Sequence, residues 1–341
     1  MTSEALAWDT GSRNGEETYE LYRQSMADLY AVEGVAPEAR PSFYNATVMA
    51  LTAEGVVGRG RSSGQIMRRT RPYVGRSAID GINLLVNLAP LVGDCAGRDV
   101  RSRPGDLQIR DLSRETVSRV ASVDVYSLLI PRRYVPDILL QPSAHGTVLR
   151  RDTPAGRLIA GHVRILGNQI ERLDDAHRRA GLTAALAMTA RALGDTRPLD
   201  PETRASLRLG LRWRAERWIH DRLLDPDLDA DTVARACGGS RATLYRAFDH
   251  DGGVHRFIQK RRLERAHMTL REGRRRSVAD VAEDHGFPSQ SHFSRVFRNT
   301  FGYSPSDVRP GLSPDFPFPV RNGRMRHDVA VGWLKTLAAT G

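Results

Sequence analysis

The chain has 341 residues, 40% of them hydrophobic and 27% charged, and carries a formal net charge of +11. That length holds two domains, each with its own core, and the proportions are those of a globular protein, not of a disordered or fibrous one. The positive balance favours a polyanionic partner; lysine occurs only at Lys260 and Lys335, so a GC-rich coding bias explains the arginine excess as well as phosphate binding does.

From Glu16 to about Val32, the residues Tyr19, Leu21, Tyr22, Met26 and Leu29 predict an amphipathic helix, ended by Gly34 and Pro37. From Phe43 to about Pro131 the rhythm changes to short apolar runs parted by glycine and proline. Strands are predicted at 48–51, 56–57, 66–67, 82–91, 107–112 and 120–130, with Pro104-Gly105-Asp106 as a turn. Gly55, Gly58, Gly60 and Gly64, with Arg59 among them, predict a flexible hairpin loop. Many short strands with turns between them suit a sandwich or barrel. After Thr153-Pro154-Ala155-Gly156 the chain is helical again. Ile159, Val163, Leu166, Ile170 and Leu173 repeat at the spacing of a coiled-coil seam. Two heptads are too few to stand free, so the seam rests either on a core or on a dimer partner. A second helix from about His177 to Leu193 lies back against it, and Gly194 to Pro201 reads as a linker.

Two units of one design follow. In 230–248, Val233, Ala234 and Cys237 share a helical face, and Leu244 and Phe248 repeat on a second helix. In 278–297, Val281 and Ala282 take the first part, Phe293 and Phe297 the second. Gly238 and Gly286 stand where a helix ends in a left-handed residue, and Ser240 and Ser289 where the next helix needs an N-cap. Each unit is therefore helix, turn, helix. The outward face carries Arg241, Ala242, Tyr245 and Arg246 in the first unit and Gln290, Ser291, His292 and Arg295 in the second. Short or planar hydrogen-bonding groups with a late arginine are what base edges and phosphates in a major groove require; a merely solvated helix more often carries Glu and Lys. Between the units, Val254 to Arg271 predicts a helix about 27 Å long, which with the width of the units reaches the ~34 Å between successive major-groove faces. Past Pro310, Pro314, Pro317 and Pro319 predict an extended tail, and Val329, Trp333 and Leu337 one face of a short last helix.

The pattern from about Leu211 to Pro310, above all Asp280-Val281-Ala282, Gly286-Phe287, Ser289 through Phe297, Phe301-Gly302 and Ser304-Pro305, resembles the DNA-binding domain of AraC/XylS-type transcriptional regulators. In that setting the N-terminal half resembles their cupin-like sensor barrel. The resemblance implies an α+β chain: a sensor domain over 1–156 with a helix and a β-barrel, a dimerising helical pair and linker over 157–200, a DNA-binding domain of two helix-turn-helix units joined by a linker helix over 205–311, and a tail over 312–341. It implies that Arg241, Ala242, Thr243, Tyr245 and Arg246 meet one groove, and Gln290, Ser291, His292 and Arg295 the next. The implied partners are double-stranded DNA, RNA polymerase, a small organic effector and a second copy of the chain, with no cofactor. Gly239 departs from the pattern, which usually has an apolar residue between turn glycine and capping serine, and implies a looser first unit.

Enzymatic readings fare worse. Gly60-Arg61-Ser62-Ser63-Gly64 matches the GxSxG nucleophile elbow, but no buried strand feeds a helix there. A metal-dependent cupin enzyme with a structural helical C-terminal region is the alternative, yet it needs several histidines on its strands, and none precedes His145. His162 and His177 read as helix-surface or seam residues, and His285 as a helix-end residue facing the dipole. Neither lysine follows a glycine-rich turn, so there is no Walker A loop. Cys95 and Cys237 offer no disulfide framework, and Cys237 reads as a small buried hydrophobe. No basic segment leads into an apolar one at the N-terminus, and the apolar run from Ile82 to Val92 is well short of the ~20 residues that cross a bilayer. The expectation is a cytoplasmic, non-enzymatic, ligand-responsive activator.

Overall fold

The computed structural model describes residues 5–10, 14–77, 79–225, 227–271 and 276–308. Its contacts divide the chain into one unit up to Gly210 and a second from Leu211. The expected tail and its short helix lie outside the described residues.

The first unit is built on a single antiparallel sheet. In chain order its elements are β1 (Leu6–Asp9), α1 (Gly15–Ser25), β2 (Ala31–Glu33), β3 (Asn45–Thr52), β4 (Gly55–Arg69), α2 (Arg71–Arg76), β5 (Gly81–Asn87), β6 (Leu91–Cys95), β7 (Arg98–Ser102), β8 (Leu107–Asp111), β9 (Thr116–Pro131), α3 (Asp137–Leu140), β10 (Val148–Leu149), α4 (Pro154–Gln169) and α5 (Asp175–Ala192). The sheet order is β1-β3-β4-β9-β5-β8-β10, with β2 on β4 and the β6-β7 hairpin on the first half of β9. The β4·β9 ribbon is the spine, paired from Val56↔Leu129 to Arg69↔Thr116. Halfway along it the inward side changes parity: Ser62 is buried, and then Gln65, Met67 and Arg69. That bend lets one ribbon wall both sides of a cavity.

The glycine-rich stretch is therefore strand and not the expected loop. Gly64 sits at the bend, where a Cβ would lie 2.4 Å from the Ala121 carbonyl oxygen. Gly58 and Gly60 face the cavity and leave it open. The GxSxG serine is buried in mid-strand, not on a strand-to-helix turn. Two other expectations change. The run 82–91 divides into β5 and the start of β6, and the short strands β1, β2, β7 and β10 carry too few apolar residues to signal themselves. The turn at Pro104-Gly105-Asp106 forms, with Gly105 at φ +91°, and the Asp106 carboxylate ties it to the chain before α4 by accepting from the Arg151 amide (2.8 Å) and the Arg150 guanidinium (3.0 Å).

α1 joins a small core through Tyr19 and Tyr22, whose rings both lie 5.4 Å from that of Phe43, with Val32 of β2 in the same cluster. The α4 seam, Ile159, Val163, Leu166 and Ile170, is buried inside the unit, where α4 packs on α5 and on β4, β5, β8 and β9. That answers the choice between core and dimer contact for this seam, because burying it on the sheet satisfies it within one chain. His162 is fully buried, with Nε2 2.9 Å from the Gly181 carbonyl of α5. Beyond α5, Arg191 holds the carbonyls of Asp195 and Arg197, and Arg197 pairs with Asp137 of α3 at 3.1 Å; the expected linker is bound to its own unit.

The second unit is all helical. α6 (Pro201–Asp221) runs into it and is followed by α7 (Ala230–Ala236), α8 (Arg241–Ala247), α9 (Val254–Arg271), α10 (Val278–Asp284) and α11 (Gln290–Phe301). α9 serves two separate cores: Val254, Phe257 and Ile258 join the core of α6, α7 and α8, while Leu263 and Ala266 join that of α10 and α11.

Candidate nucleic-acid interface

Asp229 caps α7 by accepting from the Thr232 amide at 2.7 Å, in a reciprocal capping box. The helix closes at Gly238, φ +69°, where the Gly239 amide donates back to the Ala234 carbonyl at 2.9 Å. Ser240 then caps α8 through the Thr243 amide at 3.2 Å. Leu244 and Phe248 point inward and are fully buried. Gly239 does not loosen this unit as expected. A Cβ there would lie 2.9 Å from both methyl carbons of Leu211, so a leucine from α6 occupies the space that an apolar residue at 239 would fill.

The second unit repeats the plan. Ser277 and Asp280 form the capping box of α10. Gly286 takes φ +71°, with the Phe287 amide donating to Ala282 at 2.9 Å. Ser289 caps α11 through the His292 amide at 3.2 Å. Phe293 and Phe297 are fully buried, their rings 5.4 Å apart in an edge contact. The end of α11 is fastened to α9: the His267 ring stacks on Phe301 at 4.8 Å, and its Nε2 is 2.8 Å from the Tyr303 hydroxyl.

What remains on the two outer faces can be read off residue by residue. Arg241, Ala242 and Arg246 are exposed, and Thr243 and Tyr245 half-buried. Arg241 is paired with Asp231 at 3.3 Å and its guanidinium lies 5.8 Å from the Tyr245 ring centre. Gln290, Ser291 and Arg295 are exposed. His292 is only half so, tilted toward Phe287 with ring centres 6.2 Å apart. Each outer face thus offers hydroxyl and guanidinium groups, joined on α11 by the Gln290 amide, on a helix whose opposite side is locked into a core.

Sequence reasoning missed three arginines that hold the units in place. Arg262 of α9 donates to the carbonyls of Leu223 (3.0 Å), Asp225 (2.9 Å) and the turn glycine Gly286 (3.3 Å). It thereby ties the second turn to the segment that leads into α7. Arg212 pairs with Asp251 at 2.7 Å and lies 4.8 Å from the Phe248 ring centre. Arg214 is half-buried and donates from Nε to the Cys237 carbonyl at 3.3 Å, its pKa lowered to about 10 by loss of water. Cys237 is the buried hydrophobe expected, its thiol pushed up to about 11 by burial. His285 stands at the end of α10 as expected, as its C-cap residue. It is buried, with Nδ1 2.8 Å from the Val281 carbonyl and Nε2 3.3 Å from the Thr269 hydroxyl, and burial lowers its pKa. It meets that helix end from inside the core, by its contact with the Val281 carbonyl.

In the first unit the sheet and α1 enclose a cavity of about 170 Å³. His145 does not reach it as a ligand would. Its Nδ1 accepts from the Asp111 amide at 3.0 Å and its Nε2 lies 3.1 Å from the Glu115 carbonyl. Among the described residues no three His, Cys, Asp or Glu side chains gather as a metal site, and no described helix is long and apolar enough to cross a membrane.

Residues 233–310 match the family model described as a helix-turn-helix domain, and residues 91–193 the one described as an AraC-binding-like domain. The transcriptional activator NphR of a Rhodococcus species is 34% identical over 169 residues, 48% of this chain and 50% of that one. The HTH-type transcriptional activator RhaS of Escherichia coli is 36% identical over 96 residues, 28% of this chain and 34% of that one. The chain thus spans about half the length of the first relative and a third of the second. The crystal structure of the AraC-like transcriptional activator CuxR shares the fold, with a TM-score of 0.50 and 21% identity over 76% of this chain and 95% of that one. An AraC-binding-like model and a helix-turn-helix model are thus matched in that order along the chain, which over these segments is similar to AraC-type transcriptional activators.

Proposed function

We propose that this protein is a sequence-specific DNA-binding transcriptional regulator, an activator that responds to a small organic effector. The observation that carries the reading is the pair of capped helices α8 and α11, each anchored by two buried apolar side chains and each presenting hydroxyl and guanidinium groups outward, with the Gln290 amide added on α11. On this reading Arg241, Ala242, Thr243, Tyr245 and Arg246 meet one major groove, and Gln290, Ser291, His292 and Arg295 the next. Arg241 exchanges Asp231 for the nucleic acid on binding. The first unit takes the effector in its cavity, and occupancy changes DNA binding only so far as the effector prefers one arrangement of the chain over another. RNA polymerase and a second copy of the chain are the proposed protein partners. The α4 seam is spent on the core, so a dimer would use another surface. The proposed location is the cytoplasm.

Replacing Arg295 with Ala tests the reading at one residue. Specific DNA binding should weaken by roughly 1–3 kcal/mol, with specificity relaxed at one position of the site, while thermal stability stays close to the parent because the side chain is exposed. Unchanged specific affinity in that variant would remove α11 from the interface.

A further inference from the structure

The cavity of the first unit holds a buried cation that no carboxylate among the described residues pairs with. Arg110, on β8, is 7% exposed and lines the cavity. Its Nη2 donates to the Gln108 side-chain oxygen (3.0 Å) and the Ser118 hydroxyl (2.8 Å), both neutral acceptors. Its Nε is buried without any acceptor, and among the described residues no carboxylate pairs with it. The groups closest in charge are Cys95 and Tyr30, and burial lowers the pKa of this guanidinium. Arg69, the other deeply buried arginine on this wall, is different. It spends its donors on the carbonyls of Leu112 (2.7 Å), Leu29 (2.7 Å) and Ile79 (3.2 Å), and so clasps the chain together. A buried charge left half-satisfied is costly, and here the missing acceptor has space to enter.

The rest of the cavity says what else the missing molecule carries. Asn87 also lines it and has its amide nitrogen unmatched, a second donor in search of an acceptor. The one acid among the described lining residues, Asp124, stands opposite Arg61 in the β4·β9 register; it makes no ion pair with Arg110, and its Oδ1 is a buried acceptor open to a donor on the ligand. Met49, Leu85, Leu112 and Leu129 supply apolar wall. A volume of about 170 Å³ is close to the ~150 Å³ that admits one benzene ring in a protein core.

We propose that the cavity takes a small organic monocarboxylate, its carboxylate received by Arg110 and a body the size of one six-membered ring lying on the apolar wall. This rests on the reading of the first unit as the sensor. Such a ligand completes the Arg110 hydrogen bonds and cancels its charge where water is excluded, so the acid and its isosteric amide differ sharply in affinity.

The test uses the full chain, titrated calorimetrically and by thermal shift with cyclohexanecarboxylate and phenylacetate and with their amides, in the parent and in Arg110→Met and Arg110→Gln. The acids should bind at least about 30-fold more tightly than the amides, and each replacement should erase that preference, with cooperative unfolding showing that the variants fold. Amides binding as well as acids, or acids binding undiminished to both variants, would overturn the carboxylate assignment and leave the sensor reading standing. Failure of every acid and amide to bind the parent would contradict the carboxylate and the sensor together, while leaving the DNA-binding reading to its own test at Arg295.

Discussion

Small oxygen-bearing side chains decide whether the two outer helices start in the right place. Ser289 accepts from the third amide of α11, and its loss leaves that donor dependent on water. Ser289→Ala should lower the stability of the helical unit by about 1 kcal/mol and weaken DNA binding with it, measured by denaturant unfolding and by titration side by side. His285 gives a pH dependence with a definite sign. Burial holds its pKa below the ordinary histidine value of 6.5, so the unfolded chain takes up its proton first as pH falls. Its contribution to stability is complete above about pH 6.5 and declines as pH drops toward the folded value. A comparison of thermal unfolding at pH 7.5 and 5.5 in the parent and in His285→Asn should show the larger acid loss in the parent.

At the scale of elements, α9 is the member that makes two helix-turn-helix units into one object. Its first half joins one core and its second half the other, and Arg262 adds three carbonyl contacts that reach both sides. Because the guanidinium fork meets these acceptors at fixed angles, lysine is a poor substitute. Arg262→Lys should cost about 1–3 kcal/mol of unfolding free energy and reduce specific DNA affinity without touching a groove-facing residue. Stability equal to the parent would mean that these bonds contribute nothing net. The helix-turn-helix units were legible in sequence because an apolar repeat, a closing glycine at Gly238 or Gly286 and a capping serine at Ser240 or Ser289 mark each turn. Val254 to Arg271, a helix-compatible run in the sequence, is α9 to the residue. The sheet was less legible. Gly58, Gly60 and Gly64 carry the local signal of a loop, and only the neighbouring β9 backbone and the cavity explain why a strand wants them. The α4 seam likewise could not declare its partner, since a core and a dimer interface ask for the same apolar spacing. Arg110 and Arg262 were invisible for a simpler cause: among so many arginines, only distances separate a clasp from a ligand-seeking charge.

For the whole molecule, matched models place an AraC-binding-like domain ahead of a helix-turn-helix domain, and on the proposed function the cavity serves the first and the outer helices the second. Coupling between them is a difference in binding free energy, so an effector that tightens DNA binding must itself bind more tightly when DNA is present. The most direct measurement is a titration and footprint of the full chain on the DNA upstream of its own and neighbouring genes, at two salt concentrations and with competitor DNA. Binding should survive the competitor, protect about two helical turns per protomer, and weaken steeply as salt rises. Binding that any competitor removes equally, with no protected site in the presence or absence of a cavity ligand, would contradict the proposal that this chain reads a DNA sequence.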